Sequence, residues 1–596
     1  MKKIVINHLD KLFVTSDAAT IIRELEVEHP AANLLVAAAK AAQQEVGDGA
    51  GFVVALAGEL LSQAEGLLRE GLTTGEVADG YARTAARCLE ILEKKLIIPG
   101  TETVDVRDVA AVSTRLRGPM GSKQHADEGI VVAGGVIDGN EKFVPSSTST
   151  STSSSSNSGE ETKNDALSSI CSLVARACIA VCPLDNAANF NVDNVRVLKV
   201  PGATPAASSL VRGIALKRGV EGAVKGVSDA KVAVYAQGFD TSGPETKGTV
   251  LLRSGAELEA YSRQEEKAVE ALVAGVAASG ATAVVSGGAF GELALHYLDR
   301  AGILALRVPS KFDLRRVCRS TGATALAKVG APSSADLGFA KSLRLEEVGG
   351  TRLVVLSQEA DLSSSDSNSS SSSSSSAAAS ASANGNGTPS AAASVVGGAG
   401  VTTIVLRGAT DAALDELERA ADAGANAFKA LCRDARAVPA GGAVEASLAA
   451  ALNADAASAP GLEGYAIRAF ANALSVVPRT LAENSGLDAA SALAELNAAH
   501  AKSVPYLTGK GGKGDEEEVS SSSSSWRLGL DLNGGSPRDL SLGKTTGVSD
   551  LFSAKWWALK LASDAATTVL RVDQIIMAKA AGGPRAPRGG GDWDED

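Results

Sequence analysis

Chemistry in this sequence concentrates at Gly47-Asp48-Gly49-Ala50-Gly51, a glycine-rich turn between two apolar, helix-periodic runs. A helix that opens on glycines presents free backbone N–H groups and a partial positive dipole, which suits an anion. A carboxylate at the centre of such a turn would hold Mg2+ against phosphate oxygens. Taken alone, a GDG turn is more often a plain connector between helices. Asp17, within Thr15-Ser16-Asp17-Ala18-Ala19-Thr20, is a second acid at a helix start and reads most simply as an N-cap. Ala440-Gly441-Gly442-Ala443 again places glycines in front of a helix, VEASLAAAL.

Several other chemistries are excluded. Gly543-Lys544-Thr545 resembles the end of a phosphate-binding P-loop, but the required glycine five positions earlier is Arg538. Gly118-Pro119-Met120-Gly121 has no strand–loop–helix setting, and neither GxSxG nor HExxH occurs. The six cysteines contain no CxxC pair, which argues against a zinc ribbon or disulfide framework and for a reducing compartment. Cys171, Cys178 and Cys182 share one helix face and read as small packing residues. With 57 basic and 69 acidic side chains the net charge is −12, so a nucleic-acid backbone is an unsuitable main partner. No apolar run approaches the roughly 18–20 residues of a membrane span, and the N-terminus carries no secretory pattern, so a soluble intracellular protein is expected.

The elements that must position these residues follow from periodicity. The 596 residues suggest three or four units at about 150 residues each. KIVIN and KLFVT form a hairpin, followed by helices through ATIIRELEVE, from Pro30, from FVVALAGELL and from TTGEVADGYA. In the middle, KVAVYAQGF, ATAVVSGG and GILALRVPS alternate with helical stretches at 255–279 and 290–301, which predicts a mainly parallel sheet with covering helices. RLVVLSQ and TTIVLRG read as two strands of a hairpin stretched by a Ser/Ala insertion. From Asp411 the chain is helical again. Ser-rich tracts near 145–158, 362–399 and 509–525 cannot bury enough apolar surface to order themselves and read as disordered insertions.

Taken together, VINHLDKLFVTSDAATIIRELEVEHPAA, QQEVGDG, NFNVDNVRV, ETKGTVL, FDLRRVCRSTGATAL, ENSGLDA and TVLRVDQIIMAK with its GGP tail resemble the group II chaperonins, in particular the eukaryotic cytosolic chaperonin TRiC/CCT. Outside the insertions the similarity spans nearly the whole chain, with the segments in family order. The resemblance implies a mixed α/β multidomain fold. A helical equatorial domain would come from residues 1–105 and 428–580, with an insertion at 509–525. A small intermediate domain would come from 106–198 and 359–427, with insertions at 144–163 and 362–399. An α/β apical domain with a helical protrusion around 255–279 would occupy 199–358, and 581–596 would be a disordered tail.

The same resemblance implies a cytoplasmic hetero-oligomeric double ring that uses ATP and Mg2+ to enclose and fold clients such as actin and tubulin. It assigns Gly47, Asp48 and Gly49 to phosphate and Mg2+, with Asp48 as the metal ligand. Asp17 would be catalytic, Ser122 and Lys123 would lie near the γ-phosphate, Gly441 and Gly442 would form the glycine turn, and Asp531 would meet the nucleoside end. Client contact would fall to Arg315, Arg316 and Arg319. A solvated charged helix face is the plainer reading of those arginines.

The departures from the family pattern matter as much. The resemblance places the family's Gly-Pro-x-Gly loop just upstream of Met1, with Met1 and Lys3 at its trailing edge, as a truncated start would leave it. Ala50-Gly51 replaces a hydroxyl pair after GDG, and Gly118-Pro119 replaces Thr-Ser. The water-activating aspartate falls on Ala423, and Asp422, about 100° away on a helix, is a poor substitute. Loss of such a base costs about 10²–10⁴ in rate. The expectation is an ATPase-type subunit impaired in hydrolysis, or alternatively a non-catalytic structural ring subunit.

Overall fold

A computed structural model describes residues 2–7, 10–101, 104–123, 161–239, 254–358, 400–508, 525–532, 536–541 and 548–576. The Ser-rich tracts at 145–158 and 362–399, nearly all of 509–525, the segment ETKGTVL, Gly543-Lys544-Thr545 and the tail lie outside the described residues.

Strands β1 (Lys3–Ile6) and β2 (Leu12–Thr15) pair antiparallel with Lys3 opposite Thr15, as the alternating pattern predicts. Asp17 accepts from the Thr20 amide at 3.1 Å and starts α1 (Ala18–Glu24), which ends earlier than its sequence run suggests. Pro30 opens α2 (Pro30–Val46), where its missing N–H costs nothing. Then come α3 (Ala50–Arg69) and α4 (Thr74–Lys95), the latter started by a reciprocal Thr73–Glu76 capping box. Next are α5 (Val109–Gly121), with Pro119 inside it, and α6 (Glu161–Val181).

The middle of the chain runs β3 (Val195–Pro201), β4 (Ser209–Leu216), β5 (Gly226–Tyr235), α7 (Gly255–Ala278), β6 (Ala283–Ser286), α8 (Glu292–Arg300), β7 (Leu304–Arg307), α9 (Lys311–Thr321), β8 (Ala325–Leu326), β9 (Gly338–Val348), β10 (Thr351–Ser357) and β11 (Thr402–Gly408). The remainder is α10 (Asp411–Arg433), β12 (Ala437–Pro439), α11 (Ala443–Ser458), α12 (Glu463–Leu474), α13 (Val476–Asn484), α14 (Ala489–Ala501), α15 (Val504–Thr508), β13 (Leu528–Leu530), β14 (Pro537–Asp539), β15 (Ser549–Leu551) and α16 (Phe552–Leu570).

Two expectations about the sheet are corrected. It is mixed rather than mainly parallel: β5, β6 and β7 run parallel, but β9 pairs antiparallel with both β5 and β10. Nor do β10 and β11 form a hairpin with each other. β4 lies between them, giving residues 209–212 to β11 and 213–216 to β10. The switch occurs at Gly213, where φ is +142° and a Cβ would stand 2.0 Å from the Leu356 carbonyl, so no side chain fits. No uninterrupted apolar run of membrane-span length occurs in α3, which carries Glu59, Gln63 and Glu65, but by length and composition among the described residues it is long and apolar enough to cross a membrane. Its Val53, Leu56, Ala57, Leu60 and Ala64 are nevertheless fully buried in protein.

The core falls into three main regions. Helices from both chain ends (α2, α3, α4, α11, α12 and α16) share one cluster, joined by the β12–β15 pair that sets Ala437 opposite Leu551. α5, α6 and α10 pack with Ile404 and Leu406 of β11 in a second. The two faces of the large sheet carry the rest. With aromatics at 4% of the chain, the first cluster relies on alanine and glycine for close helix approach, and Tyr81 against Phe470 edge-on at 5.7 Å is its aromatic contact.

Two glycines of α4 separate that packing from helix propensity. A Cβ on Gly80 would stand 2.5 Å from the Ala466 Cβ of α12, whereas one on Gly75 meets nothing within 4 Å. Gly80→Ala is therefore expected to destabilise by about 1–3 kcal/mol through overpacking. Gly75→Ala is expected to stabilise by up to about 1 kcal/mol. Denaturant unfolding of both variants checks the contrast, and equal shifts of the same sign would contradict this packing.

Candidate functional site

Among the described residues two helices begin on left-handed glycines and without a side-chain cap. α3 starts from Gly49 (φ +90°) and α11 from Gly442 (φ +79°), and neither has a side chain bonded to its first-turn amides. Both starts line one cavity of about 660 Å³. The GDG turn is held from behind by α10. Gly47 has φ +83°, and a Cβ there would stand 2.6 Å from the Asn426 Cβ and 3.0 Å from the Ala423 carbonyl. Glycine at 47 thus meets both a left-handed backbone and a close approach.

The cavity brings together Asp17, Asp48, Gly49, Ser122, Lys123, Gly441, Gly442 and Asp531. These come from α1, the α2–α3 turn, the end of α5, the start of α11 and the residue after β13, so five distant segments converge. Gly47 stands behind the wall. The Ser122 hydroxyl lies 3.4 Å from Asp48 Oδ1 and bonds back to the Pro119 carbonyl at 2.8 Å. Gly118, set aside as part of a false phosphate motif, does line the cavity, although as part of a helix rather than a phosphate loop. At one side the wall is apolar, made by Val477, Leu481, Leu530, Leu532, Leu540 and Val548.

Charge is distributed tightly. The Lys123 ammonium donates to Asp17 Oδ1 and, at 3.1 Å, to Gln43 Oε1, and both ion-pair side chains are buried. Burial alone would raise the Asp17 carboxyl, but Lys123 and the Thr20 hydroxyl and amide hold it below its usual value of 3.8. Burial pushes Asp48 up, and Lys123 and the Gly49 N–H offset this only in part. Sequence reasoning missed a second cation, Lys555, which bonds Glu445 Oε1 at 2.6 Å and Asp550 Oδ2 at 3.3 Å and lies 4.9 Å from the Phe52 ring centroid. Burial would lower Lys555, but the two carboxylates outweigh it and raise it, while Asp550 is raised by burial despite Lys555. No short motif encloses these residues. The readable signal was Glu445, an acid in the first turn of a glycine-opened helix.

Ala423 is buried beneath the turn and contributes no carboxylate, and Asp422 is exposed and does not line the cavity, as its helical position predicts. The three arginines of α9 are not gathered into a free strip. Arg316 donates to the Asp193 carbonyl at 3.3 Å and to Asp313 at 3.2 Å, and Arg319 donates to Asn194 Oδ1. Arg315 is exposed, near Phe312, whose relative exposure is 71%. The outward face of α9 is thus narrower than expected, because two of its arginines anchor it to the segment before β3.

Lys123→Met would leave Asp17 buried without its cation, which costs about 3–5 kcal/mol. The sign with pH is fixed by the direction of the shift. In the unaltered chain the depressed Asp17 contributes stability above about 3.8, lost as pH falls through its folded value. In the variant burial raises the carboxyl, so acid relieves the penalty. The difference in melting temperature between the two is expected to shrink from pH 7 towards pH 4, and a difference that widens would contradict the pairing.

The TCP-1/cpn60 chaperonin family profile matches residues 1–145 and 137–580. The T-complex protein 1 subunit theta of Arabidopsis thaliana is 44% identical over 585 residues, covering 98% of this chain and 88% of that protein. The subunit of the same name from Bos taurus is 40% identical over 596 residues, covering 100% and 90%, and that of Dictyostelium discoideum is 36% identical over 590 residues, covering 99% and 91%. With both chain ends forming one helical core around the glycine-lined cavity, and with similarity over its whole length, the chain belongs to the TCP-1/cpn60 chaperonin family.

Proposed function

We propose that this chain is a theta-type subunit of a hetero-oligomeric chaperonin ring and that its cavity binds ATP with Mg2+. The observation that carries the reading is the convergence of two uncapped helix starts, the Asp48 turn, Ser122 and Lys123 on one cavity. The residues present fit the ligand. Exposed first-turn amides suit phosphate oxygens, and the apolar wall suits a flat base. The lining carries four carboxylates, Asp17, Asp48, Asp531 and Asp550, against two ammonium groups, Lys123 and Lys555, both already ion-paired. A polyphosphate needs a divalent cation to enter such a lining. Asp48 would hold it, together with phosphate oxygens, in the way Mg2+ is commonly bound through one or two carboxylates.

In this reading the bundle made from both chain ends is the equatorial domain, the α5–α6–α10 cluster the intermediate domain and the large sheet the apical domain. The β1–β2 hairpin exposes Ile4, Ile6 and Leu12, and Ile576 after α16 is 90% exposed. A two-stranded ribbon is marginal by itself, so these edges suit strand pairing with a neighbouring subunit. Clients would meet Arg315 and Phe312 rather than Arg316 and Arg319.

Ala423 favours a second reading for this subunit's own site, binding without efficient hydrolysis, so that it contributes interfaces and client contacts to the ring. In assembled rings carrying Ala423→Asp, ATP turnover attributable to this subunit is expected to rise by about 10²–10⁴. Asp48→Ala is expected to abolish Mg2+-dependent nucleotide binding. Ordinary hydrolysis by the unaltered subunit would defeat the second reading, and Mg2+-independent binding by Asp48→Ala would defeat the metal assignment.

A further inference from the structure

His500, at the end of α14, is fully buried, and both ring nitrogens are engaged. Nε2 lies 2.7 Å from the Leu528 carbonyl of β13, and Nδ1 lies 3.0 Å from Ser447 Oγ on α11. A carbonyl only accepts, so Nε2 carries the hydrogen and Nδ1 is the acceptor facing the Ser447 hydroxyl. Ser447 Oγ is also 3.2 Å from the carbonyl of buried Trp526. Burial lowers the imidazole, in keeping with a neutral ring, although Leu528 opposes this.

The two partners lead to two adjoining segments of the cavity wall. Ser447 sits in the second turn of α11, whose first residue follows the Gly441-Gly442 turn. Leu528 begins β13, whose Leu530 amide donates to the Gly441 carbonyl at 2.9 Å, with Asp531 next in the chain. The two segments meet closely: a Cβ on Gly441 would stand 3.3 Å from Leu530 N, and one on Gly529 2.4 Å from the Ala440 carbonyl. We infer that His500 is a positioning residue for the nucleotide cavity, holding the Leu528 carbonyl so that β13 delivers Leu530 to the glycine turn and Asp531 to the cavity. The inference rests on the nucleotide reading for its consequence, but not for its geometry.

Two conservative variants divide the ring's bonds. Glutamine places an amide near Nε2 and keeps a donor for Leu528, whereas asparagine places one near Nδ1 and reaches only Ser447. Hydrogen exchange on the full chain without nucleotide is expected to show the Leu530 and Asp531 amides opening about tenfold faster in His500→Asn and unchanged in His500→Gln. Titration with a fluorescent ATP analogue and Mg2+ is expected to show about tenfold weaker affinity for His500→Asn and wild-type affinity for His500→Gln. Ser447→Ala, which leaves the Leu528 bond intact, is expected to change affinity by less than His500→Asn. Equal exchange in all variants, or equal loss in both His500 variants, would overturn the inference. A faster Leu530 amide in His500→Asn, with no saturable nucleotide binding by the unaltered chain, would uphold the geometry and overturn the nucleotide reading instead.

Discussion

A helix start leaves free N–H groups that need partners, and two kinds of start in this chain bear on the cavity. α1, α4 and α10 are capped by the side chains of Asp17, Thr73 and Thr410. α3 and α11 begin on left-handed glycines that offer no side chain, and both open onto the same cavity. Local cap chemistry is thus available to the sequence and absent at these two points. The architecture that joins them is long-range: β12 against β15, and α16 packed on α2, α3 and α4. A bundle built from both chain ends is what lets residues near 49 and 442 share one anion-ready surface.

The electrostatics of the cavity follow from burial. Lys123 and Lys555 would each be costly to bury alone, and each is matched with carboxylates, Lys123 with Asp17 and Lys555 with Glu445 and Asp550. Neither is therefore a free cation waiting for phosphate. Asp48 differs: among the described residues it forms no ion pair, and burial raises it. On the proposed reading, a carboxylate held this way would gain by taking a divalent cation.

What could be read in the sequence was local. Glycine turns, the Asp17 cap, Pro30 at a helix start and the β1–β2 hairpin depend on a few neighbouring residues, and each is found where its pattern placed it. The site residues inferred from family resemblance converge as well, because that resemblance carries long-range information that periodicity lacks. Sheet order was not legible. Strands β10 and β11 carry the composition of a hairpin, but β4 wins the position between them, and only the Gly213 crossing hints at it. The contacts of the α9 arginines were not legible for a related reason. Helical spacing gives the face they occupy but not that Asp193 and Asn194 lie within reach.

Ala423 joins packing to chemistry. α10 touches the GDG turn closely enough that Gly47 tolerates no Cβ, which would stand 2.6 Å from the Asn426 Cβ and 3.0 Å from the Ala423 carbonyl. An acid at 423 would add a fifth carboxylate to a region whose lining already carries four, with both lysines committed to ion pairs. Like charges at short range in a partly desolvated site repel strongly. Alanine avoids that repulsion, and on the proposed reading it also leaves the site without a general base. The proposed loss of hydrolysis therefore need not weaken binding. On the proposed reading Asp48, Ser122, Lys123 and the two glycine-opened helix starts still line the cavity, with one acid fewer close by.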